Sequence, residues 1–482
     1  TGKITNFEYN ELDLLQNVVH NENRIVTYDY YNNGLIKNLK NGSLEQQYSY
    51  DKDLNLSSLN VKHNNDLIVS NRYKYDGNGN RKSKQMFDSL TRYYYTEVGQ
   101  LKKVKSEKYE EELFYDKANN RTKRIVNGNE ELYAYDNRNR LMKFTKNGQE
   151  TDFKWDNAGN LLQDDKATYT YNEFNQTTKV ETFDGNVQIN RYDAENLRYE
   201  MEENGQLVQF IFNTEREVIA EKENGWTIYI RGSELLASNS DYAKTYYHYA
   251  NDEMGSCTHI VDDRKILNQY EYDVWGNVVS QKETIKNRFK FNGQQLDPIT
   301  QQYYLRARFY NQVIGRFTQE DTYRGDGLNL YAYCANNPVY YVDPSGNACD
   351  PVKEVLENSI VADIDNGKKL DYLFGKATGN KHNIERSVQM KQELAHIGIH
   401  DNKEHRKILE EHFNNVINDK SNVSKIEERQ YIKKELPEKP VIKYTSVTKE
   451  SFFMGPGGGV LFETVWDENR LLTVIIKSAK KK

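Results

Sequence analysis

A histidine and an arginine lie four residues apart in the C-terminal third of the chain, in the segment Lys381-His382-Asn-Ile-Glu-Arg386. This spacing places both side chains on one face of a helix. Histidine exchanges protons near neutral pH and arginine neutralises negative charge, and phosphodiester cleavage needs both functions. His382 and Arg386 are therefore candidate catalytic residues of a nuclease. In the structural alternative, His382 only flanks the start of the helix and Arg386 pairs with Glu385 or Glu393.

Strands after this helix could complete the same site. Lys443, Thr445 and Thr473 would add a cation and two hydroxyl groups if their sheet lay beneath the helix. A ribonuclease of this type uses the 2′-hydroxyl of RNA as its nucleophile, so it needs a base, an acid and a cation but no metal. We therefore expect neither a metal nor a cofactor. The other histidines of this region, His412 among them, are expected on helix surfaces.

Several other chemistries lack their sequence signatures. The chain has no HxE with PCxxC for a zinc deaminase, no GxxxxGK[ST] and no GxSxG. Its three cysteines, Cys257, Cys334 and Cys349, are too few and too scattered for a disulfide framework or a paired CxxC metal site. RNA cleavage is the expected activity, with a DNase or an ADP-ribosyltransferase as alternatives.

The elements that position these residues are predicted to form a small α+β domain. Apolar residues recur at helical spacing in segments 352–374, 382–397 and 401–417. Asp401 and Glu404 form a capping box for the third helix, and Ser424 and Glu427 could open a further one. Segments rich in β-forming residues follow at 441–447, 451–454, 460–466 and 471–477. Helices packed on one antiparallel sheet would result.

The chain as a whole has an unusual composition. Its 482 residues include 37 Tyr against 18 Phe, and only 7 Pro, which favours half-exposed β-sheets. The mean hydropathy is -0.93 and no apolar run approaches the length of a membrane helix, so no membrane span is predicted. The sequence starts at Thr1 without a leader, so we expect a signal peptide upstream, in a longer polypeptide.

An aromatic–Asp motif recurs along the first half of the chain. Its form is Tyr-x-Tyr-Asp-x-x-Gly, with Asn in place of Gly in some copies. The second aromatic falls at positions 30, 50, 75, 95, 115, 135, 155, 171 and 192. Five of the eight intervals are twenty residues, which chance enrichment of tyrosine would not produce. Aromatics at i and i+2 share one face of a strand and the Asp-x-x-Gly unit turns the chain, so the repeat predicts successive hairpins in one antiparallel sheet.

Longer motifs follow the repeat. They are His248-Tyr-Ala-Asn-Asp252-Glu-Met-Gly255-Ser256, Tyr303-Tyr-Leu-Arg306-Ala-Arg308-Phe-Tyr310 and Asp343-Pro344-Ser345-Gly346. With the Tyr-Asp hairpins, they resemble the YD repeats and associated core of Rhs proteins, WapA-type wall-associated proteins and teneurins, over roughly residues 20–346. The resemblance implies a hollow β shell around a C-terminal payload, with only part of the wall supplied by this chain.

In members of this family that cleave themselves, the end of the core acts as an aspartyl protease. The resemblance assigns its carboxylates to Asp321 and Asp343 and its supporting cation to Arg308, and it places the cut directly after Gly346. Two carboxylates that share a proton can act as base and acid towards water. In the alternative, the motif that begins at Asp343 is only a turn that ends the core.

The expected fold is mostly β, a YD-repeat antiparallel hairpin shell (a partial cocoon) followed by a small α+β domain. We predict the YD-repeat shell over residues 1–240, the Rhs-associated core over 241–346 and a toxin domain over 347–482. The expected protein is the C-terminal part of a secreted or surface-displayed polymorphic toxin whose last domain acts in the cytoplasm of competing bacteria. Its expected partners are RNA, a cognate immunity protein and the upstream remainder of the shell. A non-enzymatic adhesion protein is the alternative.

Overall fold

Antiparallel β-structure makes up most of the chain. The computed structural model describes residues 3–12, 14–243, 245–322, 329–351, 368–378, 381–418, 423–432, 441–456, 458–467 and 470–477. The chain divides into two compact units, Thr1–Leu356 and Glu357–Lys482. The described α-helices all lie in the second unit. The prediction of a mostly β fold with a small helical contribution near the C-terminus is confirmed.

The first large sheet contains fifteen strands, each paired with its neighbours in sequence. The strands are β1(Thr5–Tyr9), β2(Leu15–His20), β3(Asn23–Tyr30), β4(Ile36–Asn41), β5(Leu44–Tyr50), β6(Leu56–His63), β7(Asp66–Tyr75), β8(Arg81–Met86), β9(Ser89–Tyr95), β10(Leu101–Lys105), β11(Glu110–Tyr115), β12(Arg121–Val126), β13(Asn129–Tyr135), β14(Leu141–Lys146) and β15(Gln149–Asp152). Pairing of this kind needs only short connections, so the local repeat generates the whole sheet.

The second large sheet contains fourteen strands in the same sequential order. They are β16(Lys154–Trp155), β17(Leu161–Gln163), β18(Ala167–Tyr171), β19(Thr177–Thr182), β20(Val187–Tyr192), β21(Arg198–Glu203), β22(Gln206–Phe212), β23(Val218–Lys222), β24(Trp226–Arg231), β25(Leu235–Ser240), β26(Tyr247–Asn251), β27(Cys257–Val261), β28(Ile266–Tyr272) and β29(Val278–Glu283). The predicted boundary at residue 240 falls inside this sheet.

The two aromatic residues of each repeat have different roles. In the copy on β13, Tyr133 is buried in an apolar cluster, whereas Tyr135 donates a hydrogen bond from its hydroxyl to the carbonyl oxygen of Arg121 at 2.8 Å. Tyr50, Tyr75, Tyr95 and Tyr115 make the same bond from hydroxyl to carbonyl. In each case the carbonyl lies on the preceding strand, which follows the marker of the preceding repeat. The repeat markers therefore occupy equivalent positions in successive hairpins.

The Asp of each motif holds the following turn. Asp136 Oδ1 accepts hydrogen bonds from the backbone N–H groups of Arg138 and Arg140, at 2.9 and 3.0 Å. Asn139 in this turn has a φ of 63°, a left-handed conformation that Asn and Gly tolerate best. The predicted positive-φ turn is thus stabilised by the side chain of the residue that opens it.

We expect Tyr135→Phe to lower the free energy of unfolding of the first unit by about 1 kcal/mol, because the Arg121 carbonyl loses its hydroxyl donor. Urea denaturation followed by tyrosine fluorescence would measure the change. Tyr94→Phe is the matched control, since its side chain is 45% exposed and lies on β9, on the strand face opposite to the repeat marker Tyr95. Equal losses in both variants would contradict a stabilising role for the hydroxyl bond.

Beyond the second sheet, the first unit continues in short strands and turns. A four-stranded sheet and a separate strand pair are formed by β30(Gln295–Leu296), β31(Tyr303–Leu305), β32(Arg308–Asn311), β33(Arg316–Phe317), β34(Tyr341–Val342) and β35(Asp350–Pro351). Buried polar contacts fix this segment on the large sheets: both Asp297 oxygens bind the Arg198 guanidinium, at 2.5 and 2.8 Å, and the Asn329 amide donates to Asn120 Oδ1 at 2.8 Å. The segment is therefore part of the folded shell unit.

The second unit packs helices on one antiparallel sheet, as predicted. Its elements are α1(Lys368–Leu373), α2(Lys381–His396), α3(Lys403–Asn418), β36(Val423–Ile432), β37(Val441–Gly455), β38(Gly458–Asp467) and β39(Arg470–Lys477). The core between helices and sheet includes Leu394, Phe413, Phe462, Trp466 and Leu471, none of them measurably exposed. None of the described helices has the length and apolarity needed to cross a membrane.

The capping-box prediction of a helix at Ser424 and Glu427 is wrong. Both residues lie in β36, which pairs with β37 from Val423 to Ile432. The predicted strands 441–447 and 451–454 are likewise one continuous strand. A long partner strand supplies hydrogen bonds along the whole segment, and this outweighs a local signal worth about 1 kcal/mol.

The start of α3 also differs from the prediction. The cap is Asn402, whose Oδ1 accepts a hydrogen bond from the backbone N–H of His405 at 2.8 Å. Asp401, the predicted cap, instead binds Arg406 Nε at 2.5 Å and Lys376 Nζ at 2.6 Å. Of the helix predicted over 352–374, residues 352–367 lie outside the described residues and Lys368–Leu373 is helical.

Candidate functional site

Arg308 is the centre of a buried polar cluster in the first unit. It begins β32, directly after a tight turn in which Arg306 has a φ of 60°. Its guanidinium stacks over the ring of Phe317, with 3.6 Å between the guanidinium carbon and the ring centroid. A cation held away from water in this way needs negatively charged or carbonyl partners.

Asp321 supplies the first of those partners. The distance from Arg308 Nη2 to Asp321 Oδ2 is 2.7 Å, and both side chains are buried. The carbonyl oxygen of Leu330 accepts hydrogen bonds from Arg308 Nη1 and from the backbone N–H of Asp321, each at 3.0 Å. One backbone carbonyl therefore fixes the position of both members of the ion pair.

Asp343 approaches the same guanidinium from the end of β34. Its Oδ2 lies 3.7 Å from Arg308 Nη2 and makes no hydrogen bond with any residue that the structure describes. Its Oδ1 accepts hydrogen bonds from the backbone N–H of Gly346 at 2.7 Å and from the hydroxyl of Ser345 at 3.3 Å. The structure thus brings Arg308 and the two carboxylates, 35 residues apart at most, around one nitrogen atom.

Gly346 completes the cluster, because its carbonyl oxygen accepts a hydrogen bond from Arg308 Nε. Its φ of 76° favours glycine, and a side chain there would overlap the carbonyl oxygen of Leu305. The peptide bond from Gly346 to Asn347 therefore begins at a carbonyl that accepts a hydrogen bond from a cation, and the same cation faces both carboxylates.

The two carboxyl groups lie in different electrostatic environments. Burial raises the pKa of Asp343 to about 6, Arg308 opposes this shift, and the neighbouring charge of Asp321 adds to it. Asp321 Oδ2 lies nearer than Asp343 Oδ2 to the same guanidinium nitrogen, at 2.7 Å against 3.7 Å. One protonated and one ionised carboxyl group is the state that acid–base catalysis by such a pair requires.

A cavity of about 230 Å³ adjoins this cluster. It is lined in part by Arg308, Asp321, Leu330, Tyr341 and Cys349. This volume accommodates several water molecules beside the two charged side chains. Among the residues that the structure describes, no group of three His, Cys, Asp or Glu side chains is arranged as a metal site.

The residues predicted to cleave RNA lie on three elements of the second unit. His382 and Arg386 are in the first turns of α2; Arg386 is exposed, and the His382 side chain lies outside the described part of the chain. Lys443 and Thr445 are in the part of β37 that pairs with β36, and their side chains are also outside it. Thr473 is exposed on β39, which is two strands, or about 10 Å, from β37.

His412 is the one histidine of this unit with a strongly perturbed environment among the described residues, although we expected it on a helix surface. Its Nε2 is 3.0 Å from the hydroxyl oxygen of Ser451, and its ring lies against Phe453 and Phe462, with centroids 5.0 and 5.5 Å away. Burial lowers its pKa to about 4. His412 is therefore half-buried at the edge of the core, where its ring contacts phenylalanines. The sequence could not show this, because the contact depends on the packing of β37 beside α3.

Sequential hairpins closed by a core with a buried carboxylate pair define the chain as a YD-repeat shell protein. The family described as Teneurin YD-shell matches residues 1–339, and the chain belongs to this family. The resemblance to Rhs and YD-repeat proteins is thereby confirmed.

Known relatives show how much of a longer architecture is present. The tRNA3(Ser)-specific nuclease WapA of Bacillus spizizenii is 30% identical over 296 residues, 57% of this chain and 11% of that protein, and the tRNA nuclease WapA of Bacillus subtilis gives the same values. A structure of the Tc holotoxin pore of Photorhabdus luminescens matches 74% of this chain and 21% of its own, with a TM-score of 0.54 at 16% identity, and shows the shared fold. The chain thus spans 11% of the length of the WapA proteins.

Proposed function

We propose that this chain cleaves itself after Gly346 and thereby separates a C-terminal toxin from its β shell. The observation that carries the cleavage is that Asp321 and Asp343 meet at the Arg308 guanidinium, whose Nε also donates to the Gly346 carbonyl. A turn that merely ended the core would need neither a second buried carboxylate nor a guanidinium on that carbonyl. The charged groups cost free energy to bury, so a chemical role accounts for them better.

The proposed reaction adds one water molecule across the bond between Gly346 and Asn347. Ionised Asp321 takes a proton from water as its oxygen attacks the Gly346 carbonyl carbon, and protonated Asp343 gives its proton to the carbonyl oxygen. Arg308 Nε stabilises the negative charge that develops there. Asp321 then passes its proton to the nitrogen of Asn347 and the C–N bond breaks. Asp343 recovers a proton as the new carboxylic acid forms.

This mechanism gives cleavage a defined pH dependence. Because Asp343 must be protonated and its pKa is about 6, we expect the rate to fall about tenfold per pH unit above pH 6. The chain can be purified in urea, diluted into buffers between about pH 5 and pH 8, and followed by gel electrophoresis with time. A rate that rises with pH would mean that Asp343 acts in its ionised form.

We further propose that residues 347–482 are a ribonuclease that acts inside competing bacteria. The WapA proteins similar to the shell are named as tRNA nucleases, and the second unit has a hydrophobic core of its own, so it could act once separated. His382 and Arg386 would shuttle the proton and clamp the phosphate. Lys443, Thr445 and Thr473 would bind the RNA backbone across the sheet.

The proposed setting is a secreted or surface-displayed protein, with the upstream part of the shell and a cognate immunity protein as partners. Expression of residues 348–482 in the bacterial cytosol should arrest growth and degrade RNA. Degraded DNA with intact RNA would favour a DNase, and modified but uncut nucleic acid or protein would favour a transferase. Normal growth with soluble, folded protein would favour the adhesion alternative.

A further inference from the structure

Two of the three cysteines lie together next to the proposed cleavage site. Cys334 is fully buried in a 3-10 turn, Cys334–Asn336, and Cys349 is half-buried immediately before β35. Cys349 packs against the apolar cluster that contains Cys334, and, after burial, the neighbouring Cys349 thiol helps to raise the pKa of Cys334. Nothing in the amino-acid sequence alone pairs them, because fifteen positions separate them and no CxxC motif is present.

We propose that Cys334 and Cys349 form a disulfide that keeps the two products of self-cleavage joined. The inference rests on the proposed cut after Gly346, since Cys334 precedes that bond and Cys349 follows it by three residues. Hydrolysis of the peptide bond would then leave the shell and the C-terminal unit covalently linked through sulfur. Separation would require a second event, reduction.

The bond would form by exchange with a small-molecule disulfide as the oxidant. The Cys349 thiolate attacks one sulfur of the oxidant and expels one thiol, and the Cys334 thiolate then attacks the Cys349 sulfur and expels the second. Two protein thiols are oxidised, the oxidant is reduced to two small thiols, and the two protein protons end on those thiols. Cys349 acts first, because it is half-buried and lines the cavity, whereas burial raises the pKa of Cys334 well above the usual range for a thiol.

The same asymmetry determines how the link would be broken. A reducing thiol can reach the sulfur of Cys349 from the cavity without entering the core around Cys334. Extracellular surroundings preserve disulfides and the bacterial cytosol reduces them. The tether would therefore hold the cleaved C-terminal unit outside the cell and free it in the cytosol of the recipient.

Cys257 provides a matched control. It is buried on β27, and its thiol contacts the carbonyl oxygen of His259 and the amide of Asn287. Neither of the other two cysteines belongs to the apolar cluster around Cys257. Cys257→Ser should therefore leave the tether intact, whereas Cys349→Ser should remove it without creating a defect in the core.

The experiment uses the full chain incubated with oxidised glutathione, alkylated with N-ethylmaleimide and run on denaturing gels with and without dithiothreitol. Wild type and Cys257→Ser should run as one linked species without reductant and as two fragments with it. Cys349→Ser should run as two fragments in both lanes. Two wild-type fragments without reductant would overturn the tether while leaving the cleavage intact. One intact chain in both lanes would overturn the cleavage and the tethering role with it.

A second measurement tests the sulfur bond independently of the cut. In oxidised Asp321→Asn, which we expect to stay uncut, endoproteinase Asp-N cleaves before Asp343 and separates the two cysteines. Mass spectrometry should then detect the peptides that contain Cys334 and Cys349 joined until dithiothreitol is added. Unlinked peptides from the oxidised variant would overturn the disulfide.

Discussion

Replacing Asp343 with asparagine should slow self-cleavage by about 10²–10⁴-fold, the usual contribution of a general acid or base. Asn cannot give a proton to the Gly346 carbonyl, yet its side-chain oxygen can still accept the hydrogen bond from the Gly346 N–H. Wild-type protein should therefore yield fragments that end at Gly346 and begin at Asn347, and Asp343→Asn should yield one intact chain. Denaturing gels under reducing conditions and intact-mass spectrometry would measure both.

Three further variants define the roles within the cluster. Asp321→Asn should block cleavage to the same extent, and Arg308→Lys should slow it because Lys cannot bind both carboxylates and the Gly346 carbonyl together. Asp350→Asn, an exposed carboxylate in the same segment, should cleave normally. If the wild-type chain stays intact, or if Asp343→Asn is still cleaved, the catalytic role is contradicted and the motif that begins at Asp343 only forms a turn.

His382→Ala should abolish RNA cleavage and toxicity of the C-terminal unit, a loss of about 10²–10⁴-fold in rate. A residue in the first turn of α2 contributes little to the core, so the melting temperature should stay within a few degrees of wild type. RNA degradation in vitro and growth of cells that express residues 348–482 are the measurements. EDTA should not protect the RNA, because the proposed chemistry uses no metal.

The matched control is His396→Ala, since His396 is exposed at the other end of the same helix. It should remain fully toxic, whereas Arg386→Ala should lose activity because the phosphate loses its cation. If His382→Ala kills as effectively as wild type, or if the activity needs a divalent metal, His382 is only a helix-flanking residue. Self-cleavage should be unaffected in every one of these variants.

The repeat architecture could be predicted from the sequence because its causes are local. Tyr135 donates a hydrogen bond to the preceding strand, and Asp136 stabilises the turn that follows it. Pairing with the next hairpin then needs no long-range information, so a motif with a period of twenty residues specifies two large sheets. The same reasoning correctly gave α2, whose apolar residues repeat at helical spacing.

Features that depend on contacts between distant parts of the chain could not be predicted from the sequence. Ser424 begins a capping box, but pairing with β37 makes its segment a strand, and the same strand half-buries His412. The family motif singles out Asp343, yet burial raises its pKa and Arg308, on a strand 35 residues away in the chain, opposes that rise. Sequence therefore determined the repeat hairpins and α2, since hydrogen bonds between near neighbours form them. Only the tertiary structure decided which charged side chains are buried together. Their burial and their distances from one another depend on the whole fold, and these set the proton affinity of each group.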